Sequence, residues 1–173
     1  MNIPGVLAIR RAVAGDVDAM LVISSRADRL FVDHGVPQIA ALPPTPRGDF
    51  QRFVADNDAW LASWDAIPAG FAVAGQAAGE YWLKEIAVDP ARARRGIGGS
   101  LLSTVLDHAR AEGRSRVFLS TFRDVPFNRP FYERRGFAVI EPESAAPRLR
   151  EQFLREVPPG VDPATRTLMV WNA

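Results

Sequence analysis

The chain has 173 residues, and its 21 lysines and arginines nearly balance 20 aspartates and glutamates, for a formal net charge of +1. This length predicts one domain over residues 1–173, and the even charge argues against a nucleic-acid partner, which requires a basic excess. The absence of cysteine excludes disulfides and thiolate metal sites, and two histidines are too few to favour a metal site. The sequence predicts a cytoplasmic protein, because it has neither a membrane-spanning apolar run nor a signal-peptide pattern in residues 1–10.

The first half of the chain predicts helices followed by an antiparallel meander. An apolar run indicates a strand over 6–11, and Asp16 is the predicted cap of an amphipathic helix that reaches residue 31. A proline-rich irregular connection over 34–46 leads to a short helix around 50–54. Strand-like runs separated by turns, which indicate hairpins, follow at 59–64, 69–74 and 81–88.

After residue 88 the apolar spacing becomes helical. Five apolar residues between 101 and 109 lie on one helical face, and Gly113 ends the predicted helix. The remaining elements are a strand over 116–121, a short helix over 128–135, a strand over 137–141, a helix over 147–156 and a strand over 167–171. This order predicts a mixed α/β fold in one domain.

The most informative segment is an arginine- and glycine-rich turn between a strand and a helix. The strand ends at Val88, arginines follow at 92, 94 and 95, and Gly96-Ile97-Gly98-Gly99 opens the helix. Glycines at such a turn let a bulky anion approach free backbone amides, and the helix dipole favours negative charge there. The turn therefore predicts a pyrophosphate-sized ligand. Leu101 breaks the G-x-G-x-x-G pattern, which disfavours nicotinamide and flavin dinucleotides.

Two segments together resemble a known family. The first is Val88-x-Pro90-x-x-x-x-Arg95-Gly96-Ile97-Gly98-Gly99-x-Leu101-Leu102, and the second is Asn128-Arg129-Pro130-Phe131-Tyr132-Glu133-Arg134-Arg135-Gly136-Phe137. They are similar, in order and spacing, to the two signatures of the GNAT superfamily of acetyl-CoA-dependent N-acyltransferases. The resemblance implies a mostly antiparallel central sheet flanked by helices, with a strand–turn–helix unit that binds coenzyme A.

The resemblance also implies which residues bind acetyl-CoA, the expected co-substrate, without a metal. The family consensus has arginine or glutamine three residues before the first glycine, where this chain has Ala93, so Arg92 or Arg94 is the expected substitute. The implied cofactor-binding residues are Ile86, Ala87, Val88, Arg94, Arg95, Gly96, Ile97, Gly98, Gly99, Ser100, Asn128 and Phe131.

Two residues are the implied catalytic groups. Glu85 is the first choice for the base that deprotonates the amine, with Glu80 and Asp124 as weaker alternatives. The competing interpretation of Glu85 is a strand residue that faces solvent. Tyr132 matches the acid that protonates the departing thiolate, and its alternative role is packing beside Phe131.

The resemblance predicts an N-acetyltransferase that acts on a small-molecule or peptide amine through direct attack in a ternary complex. The alternative is a non-catalytic acyl-CoA-binding regulatory module with the same glycine turn. The acceptor is expected to contact segments 31–46 and 141–162, where His34 is a candidate contact. We expect no nucleic-acid or membrane partner, and the chain is predicted to be a monomer or homodimer.

Overall fold

The computed structural model describes residues 5–173, so the first four residues of the N-terminal stretch considered above lie outside it. Within residues 5–173 the seven strands are β1 (Leu7–Arg11), β2 (Asp58–Trp64), β3 (Ile67–Ala77), β4 (Glu80–Val88), β5 (Arg116–Phe122), β6 (Ala138–Ile140) and β7 (Arg166–Asn172). The six α-helices of this part of the chain are α1 (Val17–Asp28), α2 (Pro37–Ala41), α3 (Arg47–Ala55), α4 (Ile97–Ala111), α5 (Arg129–Glu133) and α6 (Pro147–Arg155).

One mixed sheet organises the chain, in the order β1-β2-β3-β4-β5-β7-β6. Every neighbouring pair is antiparallel except β4 and β5, which confirms the predicted mixed, mostly antiparallel sheet. The parallel pair is short, because only Tyr81 and Trp82 of β4 align with Val117 and Phe118 of β5. Beyond these residues the two strands separate and leave a gap in the middle of the sheet.

Helices cover both faces of the sheet. Helix α4 packs its apolar stripe on one face, together with Tyr132 and Phe137. Helices α1 and α3 cover the N-terminal half of the other face, and α6 covers its C-terminal half. Gly70 lets α4 lie close to the sheet, since a Cβ there would come within 3.1 Å of Ile97 Cγ2 and 3.2 Å of Leu101 Cδ1, both on α4.

A β-bulge in β4 changes which face its side chains point to. Val73 of β3 pairs with Glu85 and Ala74 pairs with Leu83, so Lys84 is the extra residue. Leu83 accordingly packs on the α4 face, whereas Ala87 packs against α1. Because residues two apart share a face of a strand, Glu85 lies on the α1 side with Ala87, where Ser24 of α1 donates a hydrogen bond to it.

Two local predictions were wrong in part. Asp16 is the N-cap residue of α1, as predicted, but its side chain makes no capping hydrogen bond. Its carboxylate accepts instead from the Val13 amide (2.8 Å) and the Arg10 guanidinium, because a 3₁₀ turn over Ala14–Asp16 precedes the helix. The connection over 34–46 is not wholly irregular, since it contains α2, which begins at Pro37, a residue preorganised for a first helical turn.

Candidate active site

The gap between β4 and β5 joins two cavities. The first, called here the glycine-turn cleft, has a volume of about 480 Å³ and is lined by Leu30, Ile86–Val88, Arg92–Arg94, Gly96–Gly99, Phe127, Asn128, Phe131, Tyr132, Arg134 and Arg135. The second, the β4–β5 cavity, has about 340 Å³ and is lined by Ser24, Asp28, Ile39, Leu42, Leu83–Glu85, Leu119–Phe122, Pro158 and Arg166. Both cavities also share Ala27, Phe31, Ile86, Ala87, Asn128 and Tyr132, so they meet at one point.

The start of α4 presents free backbone amides to the glycine-turn cleft. Gly96 has a φ of +76°, a left-handed conformation that favours glycine, and it precedes the first helical residue. The first hydrogen bond of the helix runs from the Ser100 amide to the Gly96 carbonyl (3.0 Å). The amides of residues 97–99 therefore have no acceptor within the helix. The first turn of α4 carries no acidic side chain. This end of α4 therefore has the polarity and the open donors of an anion site.

The three arginines of the turn do not all lie in the glycine-turn cleft. Arg92 and Arg94 line the glycine-turn cleft beside Ala93, as expected of substitutes for the consensus residue. Arg95 lies outside it, with its guanidinium 5.0 Å from the centre of the Trp64 ring. Ser100, another expected cofactor contact, is likewise not among the lining residues.

Further arginines come from the end of α5, which the sequence analysis did not single out. Arg134 and Arg135 both line the glycine-turn cleft. The Arg135 guanidinium lies 3.8 Å from the centre of the Phe131 ring and donates to the Phe131 carbonyl (3.0 Å). A signal was available, because both arginines belong to the second family-like segment. The cleft thus has guanidiniums on two sides of the α4 N-terminus, a suitable setting for phosphate groups.

The edge of β4 supplies backbone groups where the two cavities meet. Hydrogen-bonded and non-bonded pairs alternate along an antiparallel ladder. Because the Asp89 amide donates to the Ala69 carbonyl (2.8 Å), this alternation directs the backbone of Ala87 towards β3. The amides and carbonyls of Ile86 and Val88 then face the gap left by β5, where they are free to bind an extended ligand.

Tyr132 and Asn128 stand at the meeting point. Both are buried, with 7% and 8% of their surface exposed, and both line the two cavities. Burial raises the pKa of the Tyr132 hydroxyl well above its usual range, although Arg166 and Arg135 oppose part of the shift, so the hydroxyl keeps its proton at neutral pH. The Asn128 Nδ2 donor is buried without a hydrogen-bond partner among residues 5–173. Both side chains therefore place a hydrogen-bond donor in the wall where the two cavities meet.

Glu85 lies on the other side of this point with a second carboxyl group near it. It accepts a hydrogen bond from Ser24 Oγ (2.9 Å). Burial raises its pKa to about 7, Asp28 adds to the shift and Ser24 opposes it. Burial also raises the pKa of Asp28 to about 6. A carboxyl group with a pKa near 7 has the acidity expected of a general base at neutral pH.

The alternative bases and the histidine lie elsewhere. Glu80 is at the opposite end of β4, paired with Arg116 (2.6 Å) and Arg148 (3.0 Å). Asp124 is exposed and lines neither cavity. His34 also lines neither; its Nδ1 lies 2.8 Å from the Leu30 carbonyl oxygen, and its ring packs edge-on against Phe127. Of the candidate bases, Glu85 alone borders the point where the cavities meet.

Residues 5–173 contain neither a metal-binding cluster nor a membrane-spanning helix. Within these residues, no group of three or more histidine and carboxylate side chains is arranged to hold a metal ion. No helix of the described chain is both long and apolar enough to cross a bilayer.

The model of the acetyltransferase (GNAT) family matches residues 28–137, which is more than half of the chain. The chain belongs to the GNAT family. The match contains the glycine turn, Glu85 and Tyr132, and it confirms the family assignment made from the two segments.

Solved structures of low sequence identity share the GNAT fold. N-acetylglutamate synthase from Neisseria gonorrhoeae, complexed with coenzyme A and N-acetyl-glutamate, is 20% identical with a TM-score of 0.69; the alignment covers 96% of this chain but 35% of the Neisseria chain. The PaiA N-acetyltransferase from Thermoplasma acidophilum, in complex with coenzyme A, is 14% identical with a TM-score of 0.67, and the alignment covers 97% of this chain and 99% of the Thermoplasma chain. The ribosomal-protein-S18-alanine N-acetyltransferase from Escherichia coli is 18% identical with a TM-score of 0.66, and the alignment covers 96% of this chain and 94% of the Escherichia chain.

Proposed function

We propose that this GNAT protein is an N-acetyltransferase that transfers an acetyl group from acetyl-CoA to an amine of a small molecule or peptide. One observation carries the proposal: the glycine-turn cleft and the β4–β5 cavity meet at Tyr132, a protonated hydroxyl, and the second cavity is also lined by Glu85, a carboxyl group of pKa about 7. The coenzyme A complexes of the Neisseria and Thermoplasma proteins support the choice of cofactor.

The glycine-turn cleft fits acetyl-CoA in its charges and its free backbone donors. The amides of residues 97–99 and the guanidiniums of Arg92, Arg94 and Arg135 would bind the pyrophosphate. The free amides and carbonyls of Ile86 and Val88 would bind the pantetheine arm along the edge of β4. This arrangement leads the thioester to the gap, beside Asn128 and Tyr132.

The residues at the gap match the three needs of direct acetyl transfer. Glu85 takes a proton from the ammonium group of the acceptor, because only a neutral amine attacks. As the new N–C bond forms, a backbone amide at the edge of β4 stabilises the oxyanion of the tetrahedral intermediate. As the C–S bond breaks, Tyr132 gives its proton to the departing sulfur, and the proton that the acceptor nitrogen loses on becoming an amide returns to Tyr132 through water.

Glu85→Gln should lower kcat by roughly 100-fold and remove the rise of activity with pH around 7, because an amide accepts no proton. The variant should also be more stable than the parent at pH 8. The raised pKa of Glu85 contributes stability below its usual value of 4.5 that is lost as pH rises through about 7. Only the parent loses this free energy of unfolding, about 3 kcal/mol, because glutamine does not ionise. Rates and melting temperatures from pH 5 to 9 measure both effects.

Glu80→Gln on the same strand is the matched control. It removes an equal charge from a residue paired with Arg116 and Arg148, away from the cavities. We expect it to keep the parental pH profile. If the activity of Glu80→Gln no longer changed with pH, or if Glu85→Gln kept the parental dependence of activity on pH, Glu85 would not be the general base.

Ligand-dependent melting tests the proposal first, with acetyl-CoA, coenzyme A, NAD and ATP at matched concentrations. A ligand at 100 times its dissociation constant adds about 2.7 kcal/mol, which raises the melting temperature by several degrees. We expect shifts with acetyl-CoA and coenzyme A, and thiol release from acetyl-CoA when amines are added. Shifts without thiol release from any amine would favour the alternative, a non-catalytic acyl-CoA-binding module; no shift would exclude both.

A further inference from the structure

Arg166, the first residue of β7, is a buried cation in the wall of the β4–β5 cavity. Only 8% of its surface is exposed, and it lines that cavity opposite α1. Its guanidinium lies 4.6 Å from the centre of the Phe122 ring and donates to Ser120 Oγ (2.8 Å). These two contacts fix the side chain in the cavity wall, but neither supplies a negative charge.

The guanidinium has no full counter-charge within the described residues. Its Nε is buried without a hydrogen-bond partner there. Burial lowers the pKa of Arg166 to about 10, which leaves it charged at neutral pH, and Glu156 and Tyr132 offset part of this shift through space. Glu156 is a weak counter-ion, since burial raises its own pKa and its carboxylate accepts from Gln152 (3.0 Å). A buried cation without a paired anion is costly, and a bound carboxylate would remove that cost.

The cavity is electrically polarised. Its α1 side carries the carboxyl groups of Glu85 and Asp28, whereas Arg166 stands on the β7 side and Lys84 also lines the wall. Apolar side chains fill much of the remaining wall, including Ile39, Leu42 and Leu119. Such a cavity fits a small molecule with a cationic and an anionic end, and it disfavours a polycation.

We propose that the acceptor is a small amine that also carries a carboxylate group, of which a free amino acid is the simplest example. Its amine would lie by Glu85 and its carboxylate would bind Arg166, with two N–H donors available in the planar guanidinium. This inference rests on the proposed acetyl transfer and adds the chemical class of the acceptor. Arg166 is then a residue that determines specificity.

The first test compares matched acceptors with the unaltered protein. Thiol release from acetyl-CoA is measured with free L-amino acids, their methyl esters and the corresponding decarboxylated amines. For at least one amino acid, we expect kcat/KM to exceed that of its ester and of its decarboxylated amine by roughly 100-fold, because the analogues without a carboxylate leave the buried guanidinium unpaired. Esters, decarboxylated amines or peptide N-termini that react as well as free amino acids would overturn the proposal.

Variants then assign the effect to Arg166. Arg166→Gln should raise KM for the amino acid by roughly 100-fold, change KM for its ester by much less, and keep the acetyl-CoA dissociation constant within about twofold. Arg166→Lys should restore part of the preference, since it keeps the charge but not the planar fork. Arg155→Gln, which removes an exposed arginine of α6, is the control and should match the parent.

Failure of this inference and failure of the proposed function give different results. Amino acids and their esters are also titrated into the coenzyme A-loaded protein, a measurement that needs no turnover and remains valid if Arg166→Gln does not fold. Binding of an amino acid but not of its ester would uphold the carboxylate site even without thiol release. Turnover only of amines that lack a carboxylate would uphold the transferase function and exclude the carboxylate site.

Discussion

Replacing Gly98 with aspartate should lower the affinity for acetyl-CoA at least about 100-fold, because the new carboxylate would stand among the free amides of α4 and repel the pyrophosphate. The space around Gly98 accepts a Cβ, whose nearest neighbours would be Val88 Cγ2 at 3.5 Å and the Phe131 ring at 3.6 Å. The fold should therefore survive the change. Calorimetric titration of acetyl-CoA into the folded variant measures the loss.

Two further variants separate charge from other effects in this test. Gly98→Ala adds the Cβ alone and should cost much less affinity than the aspartate. Gly48→Asp places the same side chain at the second residue of α3, where a Cβ meets nothing within 4 Å. We expect parental acetyl-CoA affinity in Gly48→Asp. Parental affinity in Gly98→Asp would refute the glycine turn as the pyrophosphate site.

Replacing Tyr132 with phenylalanine should lower kcat by roughly 100-fold while the acetyl-CoA dissociation constant stays within about twofold. The change removes only the hydroxyl, and the ring can keep its edge-on packing against Phe131 and Phe137. Without the proton donor, the sulfur must leave as a thiolate. Steady-state rates and acetyl-CoA titration together distinguish a chemical loss from a binding loss.

Tyr81→Phe is the natural control, because the chain has two tyrosines. The Tyr81 hydroxyl donates to Asp58 (2.7 Å) and lines neither cavity at the gap, so its removal should reduce stability without changing kcat. Equal rates in the two variants would assign Tyr132 the packing role that the sequence also allowed.

The two signature segments of this family were identifiable from sequence because their geometry is local. The glycine turn needs only a strand end, a left-handed Gly96 and the first residues of α4, all within about ten positions of the chain. The order of strands and helices followed from apolar periodicity in the same way. Arg95 marks the limit of this approach, since stacking on Trp64, thirty-one positions earlier, takes it out of the cleft.

The sequence by itself determined the family, the mixed fold and the glycine turn, whereas only the tertiary structure distinguished Glu85 from Glu80 and Asp124 and brought Arg166 into the cavity. The bulge at Lys84 turns Glu85 towards Ser24 and Asp28, and burial there shifts its pKa. Arg166 reaches the same cavity because β7 inserts between β5 and β6. Strand pairing and burial join residues far apart in the chain, and no local pattern encodes such distances.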